Sequence, residues 1–124
     1  MSDCIFCTLE PSRIEDESPL FLVIKDLYPV TKGHTLIIPK RHVPSFFDLT
    51  SEEQSSFLQI LNSQKEKLRL QDNTVTGFNV GINDGEDSGQ TVMHCHIHLI
   101  PRRKGDMENP RGGVRGVIPE KQSY

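Results

Sequence analysis

Short runs of apolar residues separated by turn-forming stretches characterise the first third of the chain. PLFLVIKD (19–26) is mostly apolar and predicts a strand, and the sequel LYPVTKGH contains Pro29 and Gly33, which interrupt regular structure. HTLIIPK (34–40) predicts a second strand that ends at Pro39, because proline cannot donate to a strand ladder. The pattern therefore predicts two strands joined by a turn.

The periodicity then changes to that of a helix. Thr50 and Glu53 have the spacing of a capping box, in which each side chain satisfies the backbone amide of the other at a helix start. Apolar residues recur at helical spacing through about residue 69, namely Phe57, Leu58, Leu61 and Leu68. Because charged residues fall elsewhere on the wheel, we expect one long helix that lays a single face on a sheet.

A strand pattern returns in the second half of the chain. TGFNVGIN (76–83) alternates apolar residues with small or polar ones, which predicts a half-buried strand. The polar, glycine-rich DGEDSGQ follows as a loop, and TVMHCHIHLIPR (91–102) predicts the next strand. We therefore expect a hairpin-like pair of strands around a connection of about six or seven residues.

Composition limits the class of protein. The chain has 124 residues, enough for one domain over 1–124, and 35% of them are hydrophobic with no tryptophan, so Leu, Ile, Val and Phe must build the core. A formal charge of -3 gives no overall basic field, which argues against sequence-independent binding of nucleic acid. No apolar run approaches the roughly 20 residues that span a bilayer, and MSDCIFCTLE does not resemble a secretory signal, so we expect a cytoplasmic protein with no membrane partner.

Three histidines stand at alternate positions of GQTVMHCHIHLIPRR (89–103). On a strand, His94, His96 and His98 would project from one side, while the apolar residues between them would face the core. Three interpretations are open at this point. They are a solvated polar face, a metal site completed by another segment, and nucleophilic catalysis by a neutral imidazole whose far nitrogen is bound by an acceptor.

The segment from His94 to Ile100 fits HxHxHxx with an apolar residue at every x, and it resembles the signature of the histidine triad (HIT) superfamily of nucleotide hydrolases and transferases. HTLIIPKRH is similar to a strand of that family, and NDGEDSGQTV resembles the loop before its triad. The resemblance covers roughly residues 4 to 104. It implies an α+β, HIT-like fold: a mostly antiparallel sheet of about five strands, one long helix on one face, and the triad at a sheet edge that opens to solvent.

The resemblance also implies a role for each matching residue. His96 matches the nucleophile, which attacks the phosphorus of a nucleoside monophosphate joined to a leaving group and forms a nucleotidyl-histidine that water hydrolyses. His98 matches the histidine that helps hold the phosphate, and His94 matches the one that supports the site from behind. The other matches are Gln90 and Thr91, which contact the phosphate or leaving group in catalysis and binding, Asn83 in the same pocket, and Asp26, which binds the ribose hydroxyls.

Simpler interpretations of these residues stay open. Asp26 follows a strand and is a common turn former, and Asn83 before Asp-Gly is also a typical turn residue. Gln90 and Thr91 are equally typical of a change from loop to strand. His34 begins a strand and is left outside the chemistry.

Cys4 and Cys7 form a CxxC, and with Cys95 they make an odd number of cysteines, which in a reducing compartment favours metal or redox chemistry over a structural disulfide. Two cysteines do not complete a structural zinc site, which normally has four Cys or His ligands. In a subset of HIT proteins that the chain resembles, an N-terminal CxxC joins two histidines to bind zinc. The resemblance thus implies a structural zinc on Cys4, Cys7, His42 and His94, and a pair of reduced thiols near the terminus is the alternative.

Two classes of function follow from the resemblance. The first is an enzyme that releases a nucleoside 5'-phosphate from a leaving group, without a catalytic cofactor. The leaving group is a second nucleotide, as in dinucleoside polyphosphates, or an amine, as in adenosine 5'-phosphoramidates; HLIPRRKGD and the lack of tryptophan resemble the first branch more. The second class is a nucleotide-binding or zinc-stabilised interaction protein with incidental turnover.

The tail from Lys104 to Tyr124 has four glycines and two prolines, which is too irregular for a regular element. We expect it to pack along a surface or a partner subunit, since the resemblance implies a homodimer whose sheets join across a two-fold axis. Four arginines near and within the tail either reach substrate phosphates or keep the tail soluble, namely Arg102, Arg103, Arg111 and Arg115.

Overall fold

A computed structural model describes residues 3–124 and contains a five-stranded sheet that packs against one helix. The strands are β1 (Ile14–Glu17), β2 (Phe21–Lys25), β3 (Thr35–Pro39), β4 (Val75–Ile82) and β5 (Ile97–Arg103), and the helix is α1 (Ser51–Gln71). Neighbouring strands are antiparallel in the order β1-β2-β3-β5-β4, so the expected α+β class is confirmed. Within that range of residues, no helix combines the length and apolar character needed to cross a membrane.

The capping box predicted at the start of α1 is present. The amide of Glu53 donates to Thr50 Oγ1 at 3.1 Å, and the amide of Thr50 donates to Glu53 Oε1 at 2.9 Å. The apolar residues that α1 buries are Phe57, Ile60 and Leu68. The expectation that Leu58 shares this face is wrong: it is 58% exposed, and Ile60 occupies the buried position instead.

Apolar residues on the two faces of the sheet form two clusters. The larger cluster lies under α1 and consists of Phe21, Val23, Ile37, Val43, Leu49, Phe57, Ile60, Cys95 and Ile97. The smaller cluster consists of Phe6, Ile24, Leu36 and Ile38, with Cys4, Leu9 and Val92 packed against it. β2 and β3 thus bury side chains on both faces, which is why their sequences are continuous apolar runs.

The sequence pattern does not predict β1. Its sequence, IEDE, has a single apolar residue, and it forms an edge of the sheet that pairs with β2. Short, charged edge strands are common because they discourage association with other sheets. Such a strand has no apolar periodicity to detect, and only its pairing identifies it.

The expectation that the triad lies on one strand at a sheet edge is wrong. β5 begins at Ile97 and lies between β3 and β4 in the interior of the sheet. Residues 91–96 lie outside the ladder, where the amide of Cys95 donates to the carbonyl of Val43 at 2.7 Å. β4 and β5 do pair as expected, but residues 83–96 connect them rather than a short hairpin loop. The three histidines therefore enter different surroundings.

The tail packs beside β4, which agrees with the expectation that it follows a surface. Two short 3-10 helices form there, Gly113–Val117 and Pro119–Lys121. The tail also closes on itself at Gly112, which has φ +92° and lies so near Gln122 that a Cβ would overlap the carbonyl oxygen of that residue.

The four arginines at and beyond the end of β5 have partners within the chain. Arg102 pairs with Asp106 at 2.7 Å, and Arg103 pairs with Asp72 at 3.0 Å. The other two guanidinium groups lie over the ring of Tyr124, at 4.6 and 5.1 Å from its centroid. These contacts favour a structural role over the binding of substrate phosphates.

Candidate active site and metal cluster

A cavity of about 400 Å³ lies beside the start of β5, against the smaller apolar cluster. Its lining includes most of the predicted site residues: Asp26, Asn83, Thr91, His96 and His98. It also includes Phe6 and His34, which the sequence pattern did not assign to the site. A larger opening of about 620 Å³ near the end of α1 contains neither His96 nor His98, so volume alone does not identify the site.

His96 is buried, and the backbone fixes one of its ring nitrogens. Its Nδ1 lies 2.8 Å from the carbonyl oxygen of His94, and because a carbonyl only accepts, Nδ1 carries the proton. In the neutral ring the other nitrogen, Nε2, then has a lone pair. His96 lines the cavity, and its neutral ring has one nitrogen with a free lone pair, as a nucleophile requires.

His98 ends a chain of hydrogen bonds that runs in one direction. The amide of Val30 donates to His34 Nδ1 at 3.0 Å, so the proton of the His34 ring is on Nε2. That nitrogen donates to His98 Nδ1 at 2.9 Å, which puts the proton of the His98 ring on Nε2. His98 Nε2 is buried and has no hydrogen-bond partner among residues 3–124. The chain therefore ends in a buried N–H group that has no acceptor among these residues.

The surroundings keep both rings of this chain neutral. Burial, followed by the charges of His96 and His34, lowers the pKa of His98 to about 4. Burial also lowers the pKa of His34, against the opposing effect of Asp26. Since both imidazoles are uncharged at neutral pH, each has one donor nitrogen and one acceptor nitrogen.

His34, which the sequence pattern leaves outside the chemistry, contacts His98 and lines the cavity. It is 3% exposed, and its ring contacts that of His98 because β3 and β5 pair Thr35 with Leu99 and Leu36 with His98, which makes His34 and His98 diagonal neighbours. A histidine before an apolar run carries no information about the register of two distant strands. The sequence therefore offers no direct signal for this contact.

Asp26 is anchored in a turn and also lies beside the two histidines. Its Oδ1 accepts from the amide of Tyr28 at 2.8 Å. Its Oδ2 is 3.5 Å from His34 Nε2 and 4.0 Å from His98 Nδ1. The position agrees with both interpretations of Asp26, the turn former and the pocket residue.

Gln90 is predicted to contact a substrate phosphate, but its side chain is buried in the loop before the triad. It is 5% exposed, and its Oε1 accepts from the amide of Gly85 at 2.8 Å. Its Nε2 donates to the carbonyls of Pro44 at 2.9 Å and Val92 at 3.1 Å, which uses both of its hydrogens. The amide stabilises the loop before the triad and has no donor left for a phosphate.

The four predicted zinc ligands come together. The Sγ and ring nitrogen atoms of Cys4, Cys7, His42 and His94 all lie within 4.8 Å of one another. His94 Nδ1 is 3.4 Å from Cys4 Sγ and 3.2 Å from His42 Nδ1, and Cys7 Sγ is 3.3 Å from His42 Nδ1. Zinc bond lengths of about 2.0–2.3 Å give a tetrahedron with edges of about 3.3–3.8 Å. The spacing of the four atoms, which we call the metal cluster, is close to that of a tetrahedral ligand set.

The backbone also prepares His94 for a metal. Its Nε2 lies 2.7 Å from the carbonyl oxygen of Pro39, so Nε2 carries the proton and Nδ1 has a lone pair within the metal cluster. Burial lowers the pKa of His94, which favours the neutral ring that coordination requires. Two sulfur and two nitrogen donors are a set that fits zinc.

A second group of potential ligands, Asp26, His34 and His98, also has ligand atoms within 4.8 Å of one another. A metal between them would need a lone pair on His34 Nε2. The amide of Val30 donates to His34 Nδ1, however, so Nε2 carries the proton and donates to His98. The two histidines form a hydrogen-bonded chain with Asp26 beside them, rather than a metal site.

Comparisons with known proteins agree with this arrangement. A family model described as the HIT domain matches residues 9–105. The chain is 43% identical over 89 residues to the nitrilase and fragile histidine triad fusion protein NitFhit of Caenorhabditis elegans, a match that covers 72% of this chain but only 20% of that longer protein. It is 39% identical over 102 residues to the bis(5'-adenosyl)-triphosphatase of Dictyostelium discoideum, which covers 82% of this chain and 67% of that protein.

A solved structure is also similar. The crystal structure of a zinc-bound histidine triad family protein from Mycobacterium smegmatis superposes with a TM-score of 0.77 at 35% identity, covering 86% of this chain and 80% of that one. The fold and the position of His96 and His98 beside the cavity are consistent with the family model, whose match extends over most of the sequence. The chain belongs to the histidine triad family.

Proposed function

We propose that the protein is a nucleotide hydrolase or nucleotidyl transferase that cleaves nucleoside 5'-phosphate derivatives through a covalent intermediate on His96. The observation that carries the proposal is the opposite protonation of two histidines in one cavity. His96 Nε2 has a lone pair, and His98 Nε2 has a hydrogen. Their ring centroids are 5.4 Å apart, so both nitrogens can act on one phosphoryl group.

In the first step, His96 Nε2 attacks the α-phosphorus. A P–N bond forms, and the bond between phosphorus and the leaving group breaks. The carbonyl of His94, which accepts from His96 Nδ1 at 2.8 Å, stabilises the positive charge that develops on the ring. His98 Nε2–H donates a hydrogen bond to the leaving atom and stabilises the charge that develops there. A basic leaving atom takes its proton from solvent, so His98 stays neutral.

In the second step, water attacks the phosphorus and the P–N bond breaks. The electron pair of that bond returns to His96 Nε2, and the proton released by the water balances the one taken up by the leaving group, so both histidines return to their starting forms. The nucleotide gains the hydroxyl of the water, and the leaving group gains the hydrogen. In a transferase reaction another acceptor takes the place of water.

Three polar residues that line the cavity bind the nucleotide in this proposal. The carboxylate of Asp26 accepts from the ribose hydroxyls. The amide of Asn83 and the hydroxyl of Thr91 donate to phosphate oxygens, for which neutral donors of this kind are suited.

Dinucleoside polyphosphates such as diadenosine triphosphate are the proposed substrates. The name of the Dictyostelium relative, a bis(5'-adenosyl)-triphosphatase, supports this choice. An adenosine 5'-phosphoramidate is the second candidate, favoured by the N–H of His98. An amine must be protonated in order to leave, whereas a polyphosphate departs as a stable anion, so the donor has more to contribute to the amine.

The test compares the wild type with His96→Ala on diadenosine triphosphate, diadenosine tetraphosphate and an adenosine 5'-phosphoramidate, with AMP release as the signal. We expect the wild type to release AMP and His96→Ala to lose turnover. Phe47→Ala is the control, since that side chain is 79% exposed and lies outside the cavity lining. Turnover by His96→Ala at the wild-type rate would exclude His96 as the nucleophile. AMP binding without turnover of any substrate by the wild type would favour a binding module.

We also propose a structural zinc on Cys4, Cys7, His42 and His94, which would connect the N-terminal segment to the chain after β3 and before β5. Elemental analysis of protein purified without chelator should give about one zinc per chain. A content below about 0.2 with reduced thiols would contradict the site, because structural zinc sites bind tightly.

A cytoplasmic homodimer is the proposed assembly. Within the sheet, β4 pairs with β5 on one side and forms an edge on the other, and its Val80 is 43% exposed. A long edge strand with exposed apolar residues is suited to pairing with a second copy across a two-fold axis. Light scattering should give twice the mass of the chain, and the mass of one chain would contradict the proposal.

A further inference from the structure

The two residues between the cysteines of the CxxC line the nucleotide cavity. Cys4 and Cys7 belong to the metal cluster, and Ile5 and Phe6 are part of the cavity wall. A turn connects these roles, since the amide of Cys7 donates to the carbonyl of Cys4 at 3.1 Å. The metal ligands and the cavity wall are thus parts of one short loop.

Phe6 lies between a metal ligand and the nucleophile. Its ring is edge-on to His96, with centroids 5.0 Å apart, and its centroid is 6.0 Å from that of His94. It is 7% exposed and packs in the smaller apolar cluster. Any displacement of the Cys4–Cys7 turn moves this ring relative to both His96 and the cavity.

A second connection between the metal cluster and His96 does not need the metal. The carbonyl of His94 accepts from His96, but the ring of His94 is bound independently to the carbonyl of Pro39. The ring of His94 thus keeps a backbone partner without the metal, whereas Phe6 lies between two ligands of the metal cluster in the sequence. We therefore expect loss of the metal to displace Phe6 before it disturbs His94.

We propose that Phe6 is a positioning residue through which metal occupancy and nucleotide affinity depend on each other. Metal on the cluster fixes the turn and sets Phe6 against His96 and the bound nucleoside. By thermodynamic linkage, the nucleotide must then increase the affinity for the metal by the same factor. The inference rests on the proposed function only in placing a nucleotide in this cavity, and it does not require turnover.

The direct test uses AMP and zinc as probes. Calorimetry gives the Kd for AMP of the zinc-loaded protein and of protein stripped with a chelator under reducing conditions. We expect affinity to fall about tenfold on stripping, within the usual range of about 5- to 150-fold for coupled sites. The reciprocal measurement follows zinc transfer to a chromophoric chelator, and AMP should lower the equilibrium transfer by the same factor. This second measurement needs no stripped protein, so it decides the question even if removal of zinc unfolds the chain.

Two variants separate positioning from general packing. Phe6→Ala retains all four ligands, so it should keep its zinc but lose most of the coupling between zinc and AMP. Phe6→Leu should show a coupling between those of Phe6→Ala and the wild type. Leu9→Ala is the matched control, because Leu9 packs in the same cluster but does not line the cavity, and its coupling should equal that of the wild type.

Equal affinity for AMP with and without zinc, or full coupling in Phe6→Ala, would overturn the inference and leave the proposed chemistry intact. Failure of the zinc-loaded protein to bind AMP at all would overturn both. Loss of turnover in His96→Ala with unchanged coupling would support both, since the coupling is a property of binding.

Discussion

Two groups of side chains in this molecule have the composition of metal sites but differ in the direction of their hydrogen bonds. In the metal cluster, the carbonyl of Pro39 accepts from His94, which leaves a lone pair among the other ligands. In the second group, the amide of Val30 donates to His34 Nδ1. His34 Nε2 therefore carries the ring proton and donates a hydrogen bond to His98 Nδ1. One backbone partner makes the difference in each group. A carbonyl partner leaves the histidine with a lone pair that faces the other metal ligands, whereas an amide partner leaves it with an N–H that donates to its neighbour.

His96 follows the same rule. The carbonyl of His94 accepts from its Nδ1, which leaves Nε2 basic, while His98 two residues later has the opposite protonation. The alternating histidines thus differ in their partners: backbone carbonyls accept from His94 and His96, whereas the side chain of His34 donates to His98. Proximity and residue type alone would not distinguish these protonation states.

The largest expected effect comes from removing the donor that ends the histidine chain. His98→Ala should lower kcat on an adenosine 5'-phosphoramidate by about 10²- to 10³-fold, because the poorly leaving amine loses its hydrogen-bond donor. The loss on diadenosine triphosphate should be smaller, since its leaving group departs as a stable anion. Steady-state release of AMP measures both, and zinc content should stay at the wild-type level. Equal losses on the two substrates would contradict a hydrogen bond from His98 to the leaving atom.

A loss of the stability that depends on zinc is expected from the metal cluster but not from the second group. Cys7→Ala should lose zinc and with it about 4 kcal/mol of stability when the free metal is about 1,000 times its Kd. His34→Ala should retain its zinc, because the ring of His34 donates rather than coordinates. Urea unfolding with parallel elemental analysis makes the comparison. Loss of zinc from His34→Ala would show that the second group also binds metal.

Local features of the fold were predictable from the sequence. The capping box at Thr50 and Glu53 and the apolar runs of β2 and β3 depend on neighbouring residues, and the structure confirms them. β1 was not predicted, because its charged edge sequence has no apolar pattern. The contact of His34 with His98 was not predicted either, because it depends on the register between β3 and β5, which no local pattern encodes.

The predicted site residues divide in the same way. The candidate residues were identifiable by resemblance to a family. The surroundings of Gln90 were not, because its side-chain amide forms hydrogen bonds within the loop, to Gly85, Pro44 and Val92. The expectation of three histidines on one flat strand face also failed, because residues 91–96 leave the ladder. Sequence spacing identifies candidates, whereas hydrogen-bond direction assigns their chemistry.

A smaller effect on stability is expected from pH. Folded His98 takes up a proton only near its pKa of about 4, while the unfolded chain takes one up near pH 6.5. Between these values the unfolded state binds more protons, so stability falls as pH falls through this window, by about 3 kcal/mol in all. Urea unfolding of the wild type and His98→Asn measures this, because the variant should lose part of the pH slope. Loss of zinc at low pH affects both chains alike, since His98 is not a ligand, and identical slopes would contradict the neutral assignment of His98.

The smallest effect tests the direction of the histidine chain itself. In His34→Gln the side-chain oxygen can accept from the amide of Val30 and the side-chain nitrogen can donate to His98, so the direction is preserved and turnover should fall less than about tenfold. His34→Leu removes both contacts, and a loss of about 10- to 100-fold is expected, as is usual for groups that orient a reacting residue.

His34→Glu accepts without donating, so it should place a proton on His98 Nδ1 and raise the pKa of that ring. The pH dependence of kcat/KM, together with NMR titration of His98, measures the shift. If Gln, Leu and Glu gave the same rates and the same pKa for His98, the one-directional chain would have no part in the chemistry, and the contrast between the two groups of histidines would reduce to the presence or absence of metal.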